Sequence, residues 1–191
     1  MSIAESSPSP ERRRQRSRVA LRWLGLVLAL TTIGCDQVTK KIAATHLAGA
    51  PRHSFLGDTL RLEYAENMGA FLGLGSTWSA EARLLLFVIG SAAGLVAVAV
   101  MALRQPWANL SLIGLSLVLS GGLSNLVDRV LRGSVIDFLN VGIGPLRTGI
   151  FNVADMALML GIALVLFGGN AEASETEPPP AAPPPAAPPA G

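Results

Sequence analysis

Four long apolar stretches alternate with polar segments along the chain, and their lengths are those of membrane-crossing helices. They cover about residues 19–34, 84–103, 108–127 and 153–168, and only the last contains an acidic residue, Asp155. A helix needs about 20 predominantly apolar residues to span the hydrocarbon core of a bilayer. The pattern therefore predicts an all-α membrane protein with four transmembrane helices.

The composition agrees with lipid as the main solvent. Half of the residues are hydrophobic, only 15% are charged, and the mean hydropathy is +0.47, whereas soluble domains carry about 25% charged residues. The single cysteine, Cys35, excludes an intrachain disulfide. His46 and His53 are the only histidines, so we predict no zinc site and expect no metal or other cofactor.

Basic residues are concentrated near the N-terminus, although the net charge is only +2. This cluster consists of Arg12, Arg13, Arg14, Arg16, Arg18 and Arg22. Because an apolar stretch follows at once, the cluster indicates the cytoplasmic flank of a membrane helix and not a nucleic-acid site. Four spans place both termini on the same side, so we expect both in the cytoplasm. Lys40, Lys41, Arg52 and Arg61 follow the first span on the predicted outer side and weaken this charge bias.

The ends of the chain differ in composition from its middle. Eight of the 13 prolines lie between residues 178 and 189, in a Pro/Ala-rich segment that cannot build a core. We therefore predict a basic cytoplasmic N-terminal tail at residues 1–18, a four-helix membrane domain at residues 19–169, and a disordered cytoplasmic tail at residues 170–191.

Two predicted outer loops, residues 43–82 and 129–151, connect the spans. Residues 59–64 alternate polar and apolar side chains, as a half-buried strand does. Residues 134–138 form a second candidate strand. The fold class is completed by a small β-containing extracytoplasmic loop region.

Unusual polar residues converge on one face of the predicted membrane domain. Asp36, Lys40, Asn125, Asp128, Arg129, Asn152 and Asp155 lie at span ends on the outer side, and Asn67 and Asp137 lie in the outer loops. Polar groups are costly in a bilayer and usually mark a functional site. Helix capping or interfacial anchoring explains any single residue equally well, but it explains the whole set poorly.

Carboxylates are the chemical groups best suited to catalysis in this set. No serine lies in a nucleophile-elbow pattern, and Cys35 has no evident histidine partner. Two carboxyl groups in a low-dielectric site share one proton, so that one activates water while the other donates a hydrogen bond to a substrate carbonyl. Asp155 begins an apolar span, near a helix N-terminus that favours its ionised form. Its partner is Asp128 or Asp137, which are equal candidates on charge.

Four sequence blocks together resemble the lipoprotein signal peptidase (signal peptidase II) family, over about residues 19–169. The blocks are Asp36-Gln37-Val38-Thr39-Lys40, Asn67-Met68-Gly69-Ala70-Phe71, Gly121-Gly122-Leu123-Ser124-Asn125-Leu126-Val127-Asp128-Arg129 with Gly133 and Val135-Ile136-Asp137-Phe138, and Phe151-Asn152-Val153-Ala154-Asp155. One departure is Ser124, where the family usually has glycine. A small residue still fits there, so activity is expected to persist.

The resemblance implies an aspartic endopeptidase with Asp137 and Asp155 as its catalytic pair. It implies cleavage of a diacylglyceryl-modified prolipoprotein just before the lipidated cysteine, without a cofactor, by a monomer in the bacterial cytoplasmic membrane. The active site then faces the extracytoplasmic side, in contact with membrane lipid. The resemblance assigns substrate-binding or supporting roles to Asn67, Gly121, Gly122, Asn125, Arg129 and Asn152, structural roles to Asp36, Lys40 and Asp128, and a lid to residues 70–74.

Two other functions fit parts of the sequence. The arginine cluster, the first apolar stretch and Gly34-Cys35 are similar to a lipoprotein signal peptide, which makes the chain itself a substrate cut before Cys35. Thr32 is a poor residue for such a cleavage site, and three further spans are unusual in a lipoprotein. A small transporter or membrane scaffold is the other alternative, but a transport path requires polar groups near the bilayer centre.

Overall fold

The computed structural model describes residues 10–69, 77–105 and 107–168. Five α-helices and a four-stranded antiparallel sheet make up this part of the chain. In chain order the elements are α1 (Pro10–His46), β1 (His53–Phe55), β2 (Leu60–Asn67), α2 (Ala80–Arg83), a π-helical segment (Leu84–Ile89), α3 (Gly90–Arg104), α4 (Asn109–Arg132), β3 (Val135–Ile143), β4 (Leu146–Arg147) and α5 (Val153–Gly168). The predicted lid, the C-terminal tail and the first nine residues lie outside the described residues.

Apolar helices dominate the described chain. By length and composition, Val19–His46, Glu81–Arg104 and Asn109–Arg132 are each able to cross a membrane, and Val153–Gly168 is apolar but shorter. The second of these stretches is continuous because α2, the π-helical segment and α3 follow one another without a break. The prediction of a mostly helical membrane protein with a small sheet is confirmed.

Helix α1 is longer than the first predicted span, residues 19–34, and continues to His46. The predicted boundary was wrong because the polar residues after Gly34 are satisfied within the helix or by neighbouring helices. Lys40 and Asp36 are one turn apart and form an ion pair, and Thr39 Oγ1 donates to the Cys35 carbonyl at 2.7 Å. The helix ends before Gly49, which has a φ of +74°, a conformation suited to glycine. The loop after α1 therefore begins later than the predicted residue 43.

Helix α4 also extends beyond its predicted end at residue 127. It ends at Arg132, and Gly133 follows in the left-handed conformation with a φ of +77°, with its N–H bonded to the Arg129 carbonyl. A left-handed glycine is a common helix terminator. Strand β3 starts two residues later and is nearly twice as long as the predicted strand at 134–138.

The sheet packs against the C-terminal end of α1. The strand order is β1-β2-β3-β4, and neither β1 nor β4 was predicted. Ile136 and Phe138 of β3 are buried against Ala43 of α1. Since β3 directly follows α4 in the chain, this contact places the sheet at the ends of α1 and α4. Helix α5 begins beside the sheet.

Helices α4 and α5 pack through glycines. A Cβ atom on Gly121 would lie 2.4 Å from the Ala154 carbonyl oxygen, and one on Gly114 would lie 2.7 Å from the Gly161 carbonyl oxygen. Small residues at such contacts let two membrane helices approach closely. A Cβ atom on Gly122 would instead meet the Leu95 side chain of α3 at 2.6 Å. Helix packing thus explains both predicted glycines, and the approach of a substrate to this backbone stays a prediction.

Candidate active site

Asn152 and Asp155 begin α5 with a reciprocal pair of hydrogen bonds. The Asn152 side chain accepts from the Asp155 backbone N–H at 2.9 Å, and the Asp155 carboxylate accepts from the Asn152 backbone N–H at 3.1 Å. This is the geometry of a capping box, in which the N-cap and N3 residues satisfy each other's free amides. Local helix chemistry therefore fixes the position of Asp155.

Strand β3 brings Asp137 to the same helix end. One carboxylate oxygen of Asp137 accepts from Asn152 Nδ2 at 2.6 Å, and the other accepts from Asn67 Nδ2 at 3.0 Å. Asn67 lies on β2, which pairs with β3 in antiparallel register. Asn152 thus binds both carboxylates, Asp137 through its side chain and Asp155 through its backbone.

Asn125 connects this pair to the interior of the helix bundle. Its Nδ2 donates to Asp155 Oδ1 at 2.8 Å. Its Oδ1 accepts from Asn152 Nδ2 at 3.2 Å and from Lys40 Nζ at 2.8 Å. Asn125 is buried in α4, so these contacts satisfy an amide that would otherwise be costly to bury.

A buried ionic cluster lies on the bundle side of Asn125. Lys40 Nζ lies 2.6 Å from Asp36 and 2.7 Å from Asp128, and all three side chains are at most 1% exposed. Asp36 also accepts from the Ala154 backbone N–H of α5 at 2.8 Å, because α1 stays helical at this point and faces the start of α5.

Ser124 and Gln37 extend this cluster between α1 and α4. Ser124 Oγ donates to Asp36 Oδ2 at 2.7 Å. Gln37 Nε2 donates to Ser124 Oγ at 3.0 Å and to Asp128 Oδ1 at 3.2 Å. The departure at Ser124 therefore adds a hydroxyl that bonds to the buried Asp36 and the half-buried Gln37. No contact role was predicted for Gln37, although its place between Asp36 and Lys40 in the chain was an available signal.

Arg129 lies beside the carboxylate pair and donates to two backbone carbonyls. Its guanidinium donates to the Asn125 carbonyl at 3.3 Å and to the Gly69 carbonyl at 3.2 Å. Within the described residues, its buried Nε has no hydrogen-bond partner. The polar residues singled out in the sequence therefore form one connected site, whereas Gly121 and Gly122 lie at helix contacts.

The environment of Asp137 favours its protonated form. Burial raises the pKa of Asp137 from its ordinary value of 3.8 to about 6. The negative charge of Asp155 contributes to this net rise in the pKa, whereas the hydrogen bonds from Asn67 and Asn152 and the positive charge of Lys40 oppose it. A carboxyl group with such a pKa keeps its proton to a higher pH than an ordinary aspartate does.

The raised pKa predicts a pH-dependent stability difference between the wild type and Asp137→Asn. Protonation of Asp137 stabilises the folded state, and this contribution is complete below about pH 3.8 and lost as the pH rises through about 6. The difference between the two pKa values corresponds to about 3 kcal/mol. We expect equal thermal unfolding midpoints in detergent near pH 4, and a more stable Asp137→Asn protein at pH 8. A midpoint difference that is the same at both pH values would contradict this.

Comparisons with known proteins agree on one family. A sequence model of the signal peptidase (SPase) II family matches residues 28–169. A lipoprotein signal peptidase from Sphingopyxis alaskensis is 35% identical over 81% of this chain and 92% of its own length. One from Rhodococcus jostii is also 35% identical, over 76% of this chain and 71% of its own length.

Solved structures lead to the same conclusion. A bacterial membrane enzyme determined by the in meso method at 2.3 Å resolution has a TM-score of 0.65 and 28% identity, covering 75% of this chain and 85% of that one. A second such enzyme, at 1.9 Å resolution, has a TM-score of 0.64 and 25% identity, covering 81% of this chain and 94% of that one. The family match covers the sheet, the helices from residue 28 onward and every polar residue of the site, and on this evidence the chain belongs to the signal peptidase II family.

Proposed function

We propose that this chain removes signal peptides from diacylglyceryl-modified prolipoproteins, cutting just before the lipidated cysteine, with Asp137 and Asp155 as the catalytic pair. Membership of the signal peptidase II family makes the chain a membrane peptidase, which favours this function over a transporter, a scaffold or a lipoprotein. The observation that carries the residue assignment is the double contact of Asn152, which hydrogen-bonds to both carboxylates.

In the proposed mechanism the two carboxyl groups share one proton. Asp155, held by donors from Asn125 and the Asn152 backbone, takes a proton from water as the water oxygen attacks the scissile carbonyl carbon. Asp137, whose pKa is raised to about 6, donates a hydrogen bond to the carbonyl oxygen. When the C–N bond breaks, the cysteine nitrogen takes up the proton removed from water.

Asp137 is a better partner for Asp155 than Asp128, the alternative that charge alone leaves open. Asp128 lies 2.7 Å from Lys40 and 3.9 Å from Arg132. Gln37 Nε2 also donates to this carboxylate at 3.2 Å, so both oxygens of Asp128 are engaged within the ionic cluster. In the described residues, Asp137 instead receives hydrogen bonds from the neutral amides of Asn67 and Asn152.

Arg129 is the proposed contact for the substrate backbone. Its buried Nε has no hydrogen-bond partner among the residues that the structure describes, and a buried donor without a partner is costly. A peptide carbonyl from the substrate would satisfy it. Asn67, Asn125 and Asn152 would orient the carboxylates through the hydrogen bonds described above.

The proposed topology has four spans, with both termini in the cytoplasm and the site on the extracytoplasmic side. Helix α5 has 16 described residues, or about 24 Å at 1.5 Å per residue, somewhat less than the hydrocarbon thickness of about 30 Å. Its close packing on α4 supports it as the fourth span. A site where α1 and α4 end and α5 begins would meet the scissile bond at the membrane surface, because the diacylglyceryl chains stay in the outer leaflet.

Water suffices as co-reactant, and one chain supplies the whole site, so we propose a monomer.

A cleavage assay on purified protein in detergent or lipid tests this function. The substrate is a synthetic peptide with a signal sequence and a diacylglyceryl-modified cysteine, and the control is the same peptide without the lipid. Mass spectrometry should identify one product that begins with the lipidated cysteine. Absence of cleavage, cleavage at another bond, or equal cleavage of the unlipidated peptide would contradict the proposal.

A further inference from the structure

Lys40 is fully buried in α1, and its ammonium group has three partners. Nζ lies 2.6 Å from Asp36 Oδ2, 2.7 Å from Asp128 Oδ2 and 2.8 Å from Asn125 Oδ1. An ammonium group has three donors and no acceptor. Its donors are therefore used by two carboxylates and one amide, and only the amide also contacts Asp155.

The third contact determines which way the Asn125 amide points. Because Lys40 can only donate, the atom of Asn125 that faces it must be the oxygen. The NH2 group then faces Asp155, to which it donates at 2.8 Å. A reversed amide would place its oxygen against the Asp155 carboxylate, where two acceptors would repel each other.

We propose that Lys40 is a positioning residue for the catalytic pair, which acts by holding the Asn125 amide so that its NH2 group binds Asp155. This inference rests on the proposed function, because it assumes that Asp155 is catalytic. It assigns to Lys40 a role in catalysis beyond an ion pair that joins helices.

The other contacts of the cluster show why the effect falls on Asn125. Without Lys40, Asp36 keeps donors from Ser124 and from the Ala154 backbone, and Asp128 keeps a donor from Gln37.

Asn125 Oδ1 would keep only Asn152 Nδ2 at 3.2 Å. That nitrogen is already engaged by Asp137 at 2.6 Å. The orientation of Asn125 is therefore the feature that depends most on Lys40.

Steady-state kinetics of Lys40→Met on the diacylglyceryl peptide provide the test. We expect kcat to fall about tenfold or more, with KM within about twofold of the wild type, because Asn125 contacts Asp155 and the loss falls on the chemical step. A merely structural role would lower the folded fraction and leave the kcat of the folded protein unchanged. The folded fraction is measured by size-exclusion chromatography and thermal unfolding in detergent.

A second variant guards against misfolding from the unpaired carboxylates. Asp36→Asn combined with Lys40→Met removes one negative and one positive charge, so the net charge of the cluster does not change. The asparagine can still accept from the Ala154 N–H, and the same fall in kcat is expected. Ser124→Ala is the matched control, since it removes the hydrogen bonds of the Ser124 hydroxyl to Asp36 and Gln37 but no side-chain contact of Asn125. Its unfolding midpoint should fall while its kcat stays within about twofold.

Retention of the wild-type kcat by either folded Lys40 variant would overturn this inference. Failure of both variants to fold would also overturn it, because Lys40 would then be needed for the fold alone. The proposed function fails separately, when the wild-type protein does not cleave the lipidated peptide.

Discussion

Replacing Asp137 or Asp155 with asparagine is expected to lower kcat by about a thousandfold or more while the protein stays folded. Asparagine matches aspartate in size and keeps one acceptor oxygen, so Asn152 can still bind it. It cannot take a proton from water or return one. Acid–base catalysis by a positioned side chain contributes about 10² to 10⁴ in rate, and both roles depend on the shared proton.

The measurement is single-turnover cleavage of the diacylglyceryl peptide, which reports the chemical step directly. Asp58→Asn is the matched control, because Asp58 is a surface aspartate paired with Arg61 and Arg147 in the β1–β2 turn. Its φ is +70°, a conformation that asparagine tolerates well. We expect its rate to stay within about twofold of the wild type.

The same single-turnover measurement on Asp128→Asn decides whether Asp137 or Asp128 is the catalytic partner of Asp155. Asp128 lies in the ionic cluster and not beside Asn152. Its replacement should lower stability more than rate. If Asp128→Asn lost a thousandfold while Asp137→Asn remained active, the proposed pair would be wrong.

The sequence was most informative where function depends on local helix chemistry. Asp155 could be predicted as a site residue because a carboxylate at the start of an apolar span is costly in a bilayer and usually functional. Asn152 lies three residues before it. That spacing is the signature of a capping box, and the hydrogen bonds of α5 have this arrangement. Span positions were also predictable, because about 20 apolar residues leave few alternatives.

Long-range pairing was the part that the sequence could not supply. In the sequence, Asp128 and Asp137 are equivalent acidic residues. They differ in the structure because Lys40, which is distant in the chain, forms an ion pair with Asp128 and not with Asp137. The extension of α1 to His46 depends on the same contacts. Burial of Asp36 and Lys40 against α4 and α5 lets a charged segment remain helical, and no local pattern indicates that burial.

The glycine contact between α4 and α5 leads to the second large expected effect, that of Gly121→Ala. The added methyl group would lie 2.4 Å from the Ala154 carbonyl oxygen, a backbone atom that cannot turn aside. Overpacking of this kind costs about 1–3 kcal/mol. The relief available is a shift of α5, which carries Asn152 and Asp155, and a misplacement of about 1 Å can cost about 10² in rate.

We therefore expect Gly121→Ala to lower both the thermal unfolding midpoint and kcat/KM, the latter by about a hundredfold. Gly94→Ala is the matched control, because in the described part of the chain no atom outside the helix's own backbone lies within 4 Å of a Cβ at Gly94, and neither quantity should fall. The same pair of variants tests the predicted approach of the lipidated peptide to the α4 backbone. If Gly121 serves that approach, Gly121→Ala should raise KM and leave the unfolding midpoint unchanged, because the methyl group would then obstruct the substrate and not α5.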